Sequence, residues 1–483
     1  MQRQVVQRIL GILLGGFSLT MLPPIGVTLL YPDESAVPFV LSVLITLACA
    51  LALWYPVRDS RDDMHLRDGF LVVVLFWTVL GSFGALPFLL CEPLALGITD
   101  AVFESISGLT TTGATVITQL DTMPRSILFY RQTLQWLGGM GLIVLAVAIL
   151  PMLGVGGMQL YQAETPGPVK DNRLTPRIKE TAKALWFIYL LLTVICAFSY
   201  WLAGMSLFDA ISHSFSTVAI GGFSTHDASL GYFDSAAIET IAIVFMLLAG
   251  ANFGLHFITW KSLKVRHYLQ DAEFRTYVLV LLAITLIAFL FLRLAQVYPV
   301  WDHAFGKAVF HAVSIGTTTG FTTSEFHLWP GFLPWLLLFA SFIGGCAGST
   351  GGGLKVIRVL LLFKQGMREM MRLVHPSAEI AVKIGPRPVD GRVMQAVWGF
   401  FFAYIAIFMF MTLLLMATGL DETTSFSAVA ATLNNLGPGL GEVGANYTGI
   451  NALSKWILCL AMLLGRLEIF TLLVVLTPAF WRR

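Results

Sequence analysis

The chain has 483 residues, 57% of them hydrophobic and 12% charged, with mean hydropathy +0.78 and a formal net charge of +2. Soluble domains carry roughly 25% charged residues, so half that share, set between long apolar runs, excludes a soluble chain and makes lipid the main solvent. No nucleic-acid partner is expected, and the placement of the charges says more than their sum.

Arg3 and Arg8 precede an apolar stretch at 9–30 that resembles a signal peptide. It is too long for one and ends without a small-x-small cleavage site, so it reads as a retained transmembrane helix. A spanning helix needs about 20 apolar residues, and ten such stretches follow one another. Two come first, at 9–31 and 37–56. Four pairs follow: 69–91 with 128–154, 183–204 with 236–260, 274–296 with 332–363, and 393–419 with 453–477. The five cysteines, Cys49, Cys91, Cys196, Cys346 and Cys459, are scattered singly in or beside these runs, and read as small packing residues.

Basic residues fall between the pairs. Arg58, Arg61 and Arg67 precede the first, and Lys170, Arg173, Arg177, Lys179 and Lys183 separate it from the second. Lys261, Lys264, Arg266 and Arg275 lie before the third; Lys364, Arg368, Arg372, Lys383, Arg387 and Arg392 lie before the fourth; Arg482 and Arg483 end the chain. With ten spans all these segments share one side, which is then the cytoplasm and holds both termini. The segments within pairs are acidic, with Asp100, Glu104, Asp121, Asp209, Asp227, Asp234, Glu325, Asp421, Glu422 and Glu442. An odd error in the span count would scramble this pattern.

Those within-pair segments repeat. They run from Phe103 through Leu-Thr-Thr-Thr to Gly113, from Ser212 through Ala-Ile-Gly to Gly222, from Phe310 through Gly-Thr-Thr-Thr to Gly320, and from Phe426 through Asn-Asn-Leu to Gly437. Each begins as a short amphipathic helix, with Asp100, Asp209, Asp302 or Thr424 near its start as a capping group. A second glycine column, Gly138, Gly250, Gly344 and Gly465, follows 24 to 28 residues later, inside the next span. One such stretch alone reads as helix packing; four matched copies read as four re-entrant loops around one axis. Irregular backbone at membrane depth survives where it lines water. Carbonyl rings there replace an ion's hydration shell, and the C-terminal ends of half-helices favour a cation.

The pieces 107–115 (Ser-Gly-Leu-Thr-Thr-Thr-Gly-Ala-Thr), 219–226 (Ala-Ile-Gly-Gly-Phe-Ser-Thr-His), 342–355 (Phe-Ile-Gly-Gly-Cys-Ala-Gly-Ser-Thr-Gly-Gly-Gly-Leu-Lys) and 434–441 (Asn-Asn-Leu-Gly-Pro-Gly-Leu-Gly) resemble the TrkH subfamily of bacterial potassium uptake proteins, within the superfamily of KtrB and the plant HKT transporters. The resemblance runs nearly end to end. It implies a pseudo-fourfold potassium pore in the bacterial inner membrane, a homodimer with one pore per protomer, and a cytosolic nucleotide-binding partner ring like TrkA. It carries the filter carbonyls onto Thr111, Thr112 and Gly113; Ile220, Gly221 and Gly222; Thr318, Thr319 and Gly320; and Asn435, Leu436 and Gly437. Sodium-favouring relatives carry serine at the first-loop glycine, so Gly113 favours potassium. The loops depart from the Thr-Val-Gly-Tyr-Gly filters of tetrameric potassium channels. A single ordered carbonyl ring, and weaker discrimination against sodium, are expected.

Six glycines in ten residues (Gly344, Gly345, Gly348, Gly351, Gly352 and Gly353) cannot hold a continuous helix. A phosphate-binding loop is excluded, because Leu354 separates Gly353 from Lys355 and valine follows. Simple kinking is the plain alternative. In the family resembled, this segment is an intramembrane loop that obstructs the pore, so 344–353, with Ser349, Thr350 and the adjoining Lys355, is the expected gate. Arg466 sits in the last apolar run, where a charge is a functional candidate by default. It is expected either to hold the gate and oppose cations, or to pair structurally with Glu468.

His213, His256, His303 and His311 read singly as packing residues, and Trp54, Tyr55, Trp329 and Trp481 as an interfacial belt. A proton- or sodium-coupled symporter would need a titratable carboxylate on the path, with Glu104 and Glu468 as candidates. An intramembrane enzyme would need a constellation such as His213 with Ser216, which the loop repeat explains better. No catalytic residue and no organic cofactor are expected; potassium is the permeant ion.

The reading is therefore an all-α membrane protein of about ten transmembrane helices with four re-entrant pore loops in pseudo-fourfold arrangement. Its parts are a two-helix extension (1–66) and four pore repeats at 67–170, 171–265, 266–375 (with the gate) and 376–483.

Overall fold

The computed structural model describes residues 2–482 other than 32, 34, 61–64, 142–177 and 386. Arg61, Lys170, Arg173, Arg177, Arg483 and the expected boundary at 170–171 lie outside the described residues. Helices α1 (Arg3–Leu19), α2 (Leu22–Leu30) and α3 (Ala36–Trp54) form the N-terminal extension, in which α1 packs on α3. Next come α4 (Leu66–Phe83), α5 (Leu86–Leu90), α6 (Ile98–Leu109) and α7 (Arg125–Gly139). After the undescribed stretch stand α8 (Ile178–Leu202), α9 (Leu207–Ala219), α10 (Ala236–Ala249), α11 (Phe253–Ser262) and α12 (Arg266–Gln270). A third group holds α13 (Ala272–Leu294), α14 (Trp301–Gly316), α15 (Leu333–Ile343) and α16 (Val356–Val374). A small hairpin, β1 (Lys383–Ile384) with β2 (Arg387–Pro388), leads to α17 (Gly391–Ala417), α18 (Glu422–Leu433), α19 (Ala452–Arg466), α20 (Phe470–Leu476) and α21 (Pro478–Trp481).

Six helical segments among the described residues are long and apolar enough to cross a bilayer: Arg3–Leu30, Ala36–Val57, Arg67–Leu90, Lys183–Leu202, Ala272–Leu294 and Gly391–Ala417. Two more spans are bent, by 94° between α10 and α11 and by 115° between α19 and α20. The remaining two apolar stretches are not single helices. The described part of 128–154 is α7, and 332–363 is divided into α15 and α16 by the glycine-rich segment.

The second glycine column explains the breaks. The sequence reading places Gly138, Gly250 and Gly465 inside continuous spans and a break at Gly344, yet α7, α10, α15 and α19 all end within one residue of Gly138, Gly250, Gly344 or Gly465. At Gly138 and Gly465 the helix lies so close to a half-helix end that a Cβ would collide with the carbonyl of Leu109 or Leu433. Two expected caps also move. The amides at the starts of α9 and α18 are capped by Ser206 and Asp421, which accept from Asp209 and Thr424, so Asp209 and Thr424 supply amides rather than caps. Asp100 instead pairs with Lys455 at 2.7 Å.

The half-helices α6, α9, α14 and α18 close a ring. Here α9 packs on α7, α14 on α10, α18 on α15, and α6 on α19. Each therefore rests on the second helix of the unit before it, and the last unit closes on the first. Trp329 is not part of a surface belt: it is 7% exposed, with its ring 4.9 Å from His311.

Candidate functional site

All four half-helices end in the same backbone motif. The amides of Thr112, Gly221, Thr319 and Leu436 return to the carbonyls of Ser107, Ser216, Ser314 and Ala431 at 2.9, 2.8, 2.7 and 2.7 Å. The residue before each, Thr111, Ile220, Thr318 or Asn435, bonds three residues back at 3.0 to 3.2 Å and has φ between +53° and +69°. This is the Schellman closure, in which the left-handed position usually belongs to glycine. Four non-glycine residues there store strain of about 1 kcal/mol each, as binding sites tend to.

After them, Gly113, Gly222, Gly320 and Gly437 have φ of +81°, +76°, +83° and +98°. Alternating left-handed and ordinary residues turn successive carbonyls the same way. A Cβ on Gly113 would collide with the carbonyl oxygen of Gly221, one on Gly222 with that of Thr319, one on Gly320 with that of Leu436, and one on Gly437 with that of Thr112. Four oxygens, each held by one unit and abutting the glycine of another, thus form a closed ring. Gly113, Gly222 and Gly320 keep partial exposure while the residues before them are buried, consistent with a narrow opening along the axis.

The differences among the copies have local causes. In loops one and three the first and third threonines of the triplet share a hydrogen bond, Thr110 with Thr112 and Thr317 with Thr319, both at 2.7 Å. In loop two Gln135 from α7 occupies that space. Its amide donates to the Gly221 carbonyl at 2.6 Å and accepts from the Phe223 amide at 3.1 Å, so a Cβ at Gly221 would collide with it. In loop four Asn435 donates to Thr112 Oγ1 at 2.9 Å and to the Met462 carbonyl at 3.0 Å.

Behind loops one and two lies a buried ion pair. Arg131 Nε meets Glu104 Oε1 at 2.8 Å, with side-chain exposures of 1% and 0%. Glu104 also accepts from the Val116 amide, and Arg131 donates to the Ser224 carbonyl and lies over Phe223 at 4.2 Å. Gln132 donates to the Phe223 carbonyl at 3.2 Å. The sequence reading missed Arg131, Gln132 and Gln135; the signal was three polar residues within a stretch taken as a span. His213 bonds Ser224 Oγ and the Asp209 carbonyl, not Ser216. Near it, in the segment between α9 and α10, burial alone would lower the His226 pKa, but hydrogen bonds to Asp209 and Asp121 raise it above the ordinary imidazole value.

Beneath the half-helix ends runs the segment 344–355. Thr350 Oγ1 donates to the Val218 carbonyl at 3.0 Å, the Gly352 amide to Thr318 Oγ1 at 2.8 Å, and the Gly353 amide to the Asn434 carbonyl at 3.2 Å. The Cys346 amide donates to the Gly250 carbonyl at 2.8 Å, and Ser349 Oγ to the Cys346 carbonyl at 2.6 Å. Gly344, Gly348 and Gly353 have positive φ, as does Lys355, whose Nζ bonds the Gly351 carbonyl at 2.6 Å. Gly345 and Gly351 pack against each other. The segment thus lies across the second, third and fourth loops.

Arg466 completes the arrangement at the first loop. Its guanidinium donates to Thr111 Oγ1 at 3.2 Å, to the Thr350 carbonyl at 3.3 Å, and to the Gly138 carbonyl. The alternative pairing with Glu468 does not occur: Glu468 pairs with Arg358 of α16 at 2.5 Å. The left-handed break at Glu468 and Ile469 turns the chain away after Arg466.

A family profile of cation transport proteins, TrkH, matches residues 36–482. The chain is 60% identical to the Trk system potassium uptake protein TrkH of Vibrio parahaemolyticus and 57% identical to that of Escherichia coli K12, over the whole of each chain. It superposes on the crystal structure of the potassium transporter TrkH from Vibrio parahaemolyticus with a TM-score of 0.91 at 57% identity, covering all of both chains. With its four-loop ring and bent spans, the chain belongs to the TrkH family of cation transport proteins, helical multi-pass membrane proteins and not enzymes.

Proposed function

We propose that this chain is a channel-like potassium uptake subunit, with its ion site at the ring of the Thr112, Gly221, Thr319 and Leu436 carbonyls. The carrying observation is the closure of that ring, each oxygen abutting the glycine of another unit. Thr111, Ile220, Thr318 and Asn435 supply the adjacent carbonyls, and Gly113, Gly222, Gly320 and Gly437 the opening. The names of the relatives support potassium as the cargo. Residues 344–353 with Lys355 form the gate, held beneath the ring with the help of Arg466.

The repeat boundaries read from the sequence remain our division of the chain: an extension at 1–66 and pore units at 67–170, 171–265, 266–375 and 376–483. We place both termini on the cytoplasmic side of a bacterial inner membrane. A homodimer and a cytosolic nucleotide-binding ring as gating partner follow from the family resemblance. Coupled transport is disfavoured because both candidate carboxylates are ion-paired, Glu104 with Arg131 and Glu468 with Arg358.

The test is ion flux in liposomes containing the purified chain, with and without its partner. Potassium and rubidium flux should exceed sodium flux and run down an imposed gradient independently of pH. Strict dependence on a proton or sodium gradient would replace conduction by symport.

A further inference from the structure

Glu273 stands in the first turn of α13, just after the Asp271 cap, and is 8% exposed. A buried carboxylate normally faces a cation, as Glu104 does, and the half-buried Glu239 and Glu468 are paired too. Glu273 makes no such ion pair among the described residues. Its Oε1 accepts instead from two backbone amides, that of Ala347 at 2.6 Å and that of Ile357 at 3.2 Å. Those amides belong to the two ends of the glycine-rich segment: Ala347 follows its entry from α15, and Ile357 lies in the first turn of α16.

A segment with six glycines has few side chains to pack and is ordered mainly through its backbone bonds. Among these, two converge on the single side-chain oxygen Glu273 Oε1. Because both amides converge on one oxygen, the two ends are fixed to the same point of α13. A displacement of α16 that breaks the Ile357 bond also loosens the seat of the Ala347 turn. From that turn the loop continues to Thr350, which meets Arg466 and the Val218 carbonyl.

We propose that Glu273 is the latch of the gate loop, a positioning carboxylate that ties both ends of the loop to α13 and couples the loop to movement of α16. This rests on the reading of 344–353 as the gate.

The turn itself offers a clean test. The Ser349 amide bonds the Cys346 carbonyl at 3.2 Å, and Gly348 has φ +70°, so Ala347 occupies the turn position at which proline is favoured. A347P therefore keeps the turn while deleting the amide that Glu273 accepts. The experiment uses the full chain in liposomes without partner and reads potassium flux. It also reads alkylation of the native Cys346, now 1% exposed, by peptide mass spectrometry.

E273A and A347P should each raise flux about tenfold, the order of effect of losing a buried backbone hydrogen bond, and should speed Cys346 alkylation. E273Q should lie between them and the parent, since an amide oxygen still accepts both bonds. A chain shortened by deleting 348–353 is the reference for an absent gate. If that chain conducts faster while E273A and A347P match the parent in flux and alkylation, the latch is wrong and the gate stands. If the shortened chain also matches the parent, gate and latch fall together. Should E273A fail to fold, A347P decides.

Discussion

Gly113→Ser is expected to remove most of the preference for potassium over sodium while leaving the chain folded. Serine at φ +81° meets the left-handed penalty of about 1–2 kcal/mol, and its Cβ would press on the Gly221 carbonyl. Gly221 is held from behind by Gln135, so the oxygen cannot withdraw freely. The strain must then appear as a displaced or tilted oxygen at the proposed ion site. A change of about 1.4 kcal/mol between two ions is a tenfold change in preference, so the permeability ratio should fall about tenfold. Bi-ionic flux measurements check this, with the melting temperature as a control for folding. An unchanged ratio would mean that discrimination lies elsewhere than in the ring.

Arg466→Ala should raise potassium flux by an order of magnitude or more. The guanidinium bonds the Thr350 carbonyl of the proposed gate and Thr111 Oγ1 directly beneath the first loop. A unit positive charge about 8 Å from a passing cation, at an effective dielectric constant near 20, opposes it by about 2 kcal/mol, or about thirtyfold in occupancy. Loss of the gate contact adds to this. Arg466→Lys keeps the charge but not the forked geometry, and should recover the barrier while leaving the loop less firmly held. A well-folded but inactive Arg466→Ala chain would make the residue a structural support instead.

What the sequence revealed depended on whether a physical demand selects a residue type. The four loop glycines were legible because a collision with a neighbouring carbonyl excludes any Cβ. Arg466 was legible because a charge in an apolar run is conspicuous. The left-handed residues Thr111, Ile220, Thr318 and Asn435 were assigned to the filter through family resemblance, but nothing in their chemistry announces positive φ; the helix closure imposes it. Two of their side chains also bond what lies beneath the loops, Thr111 the guanidinium of Arg466 and Thr318 the Gly352 amide.

Glu273 was passed over because the apolar run was begun at 274, one residue beyond it. Arg131, Gln132 and Gln135 were hidden for a related reason. Hydropathy averages over a span, and three polar residues on a helix facing the adjacent loop change that average little. The helix breaks at Gly138, Gly250 and Gly465 were missed because apolar residues continue past them, whereas the break at Gly344 was legible in six glycines within ten residues; hydropathy records the solvent and not the direction of the chain.

The central claim is that four unequal loops build one ion site. Its most direct measurement is anomalous scattering from crystals of the chain grown in rubidium. The expected result is a peak on the axis, enclosed by the carbonyl oxygens of Thr112, Gly221, Thr319 and Leu436, that weakens in Gly113→Ser. A rubidium peak away from that ring, or none there in a preparation that conducts rubidium, would contradict the claim.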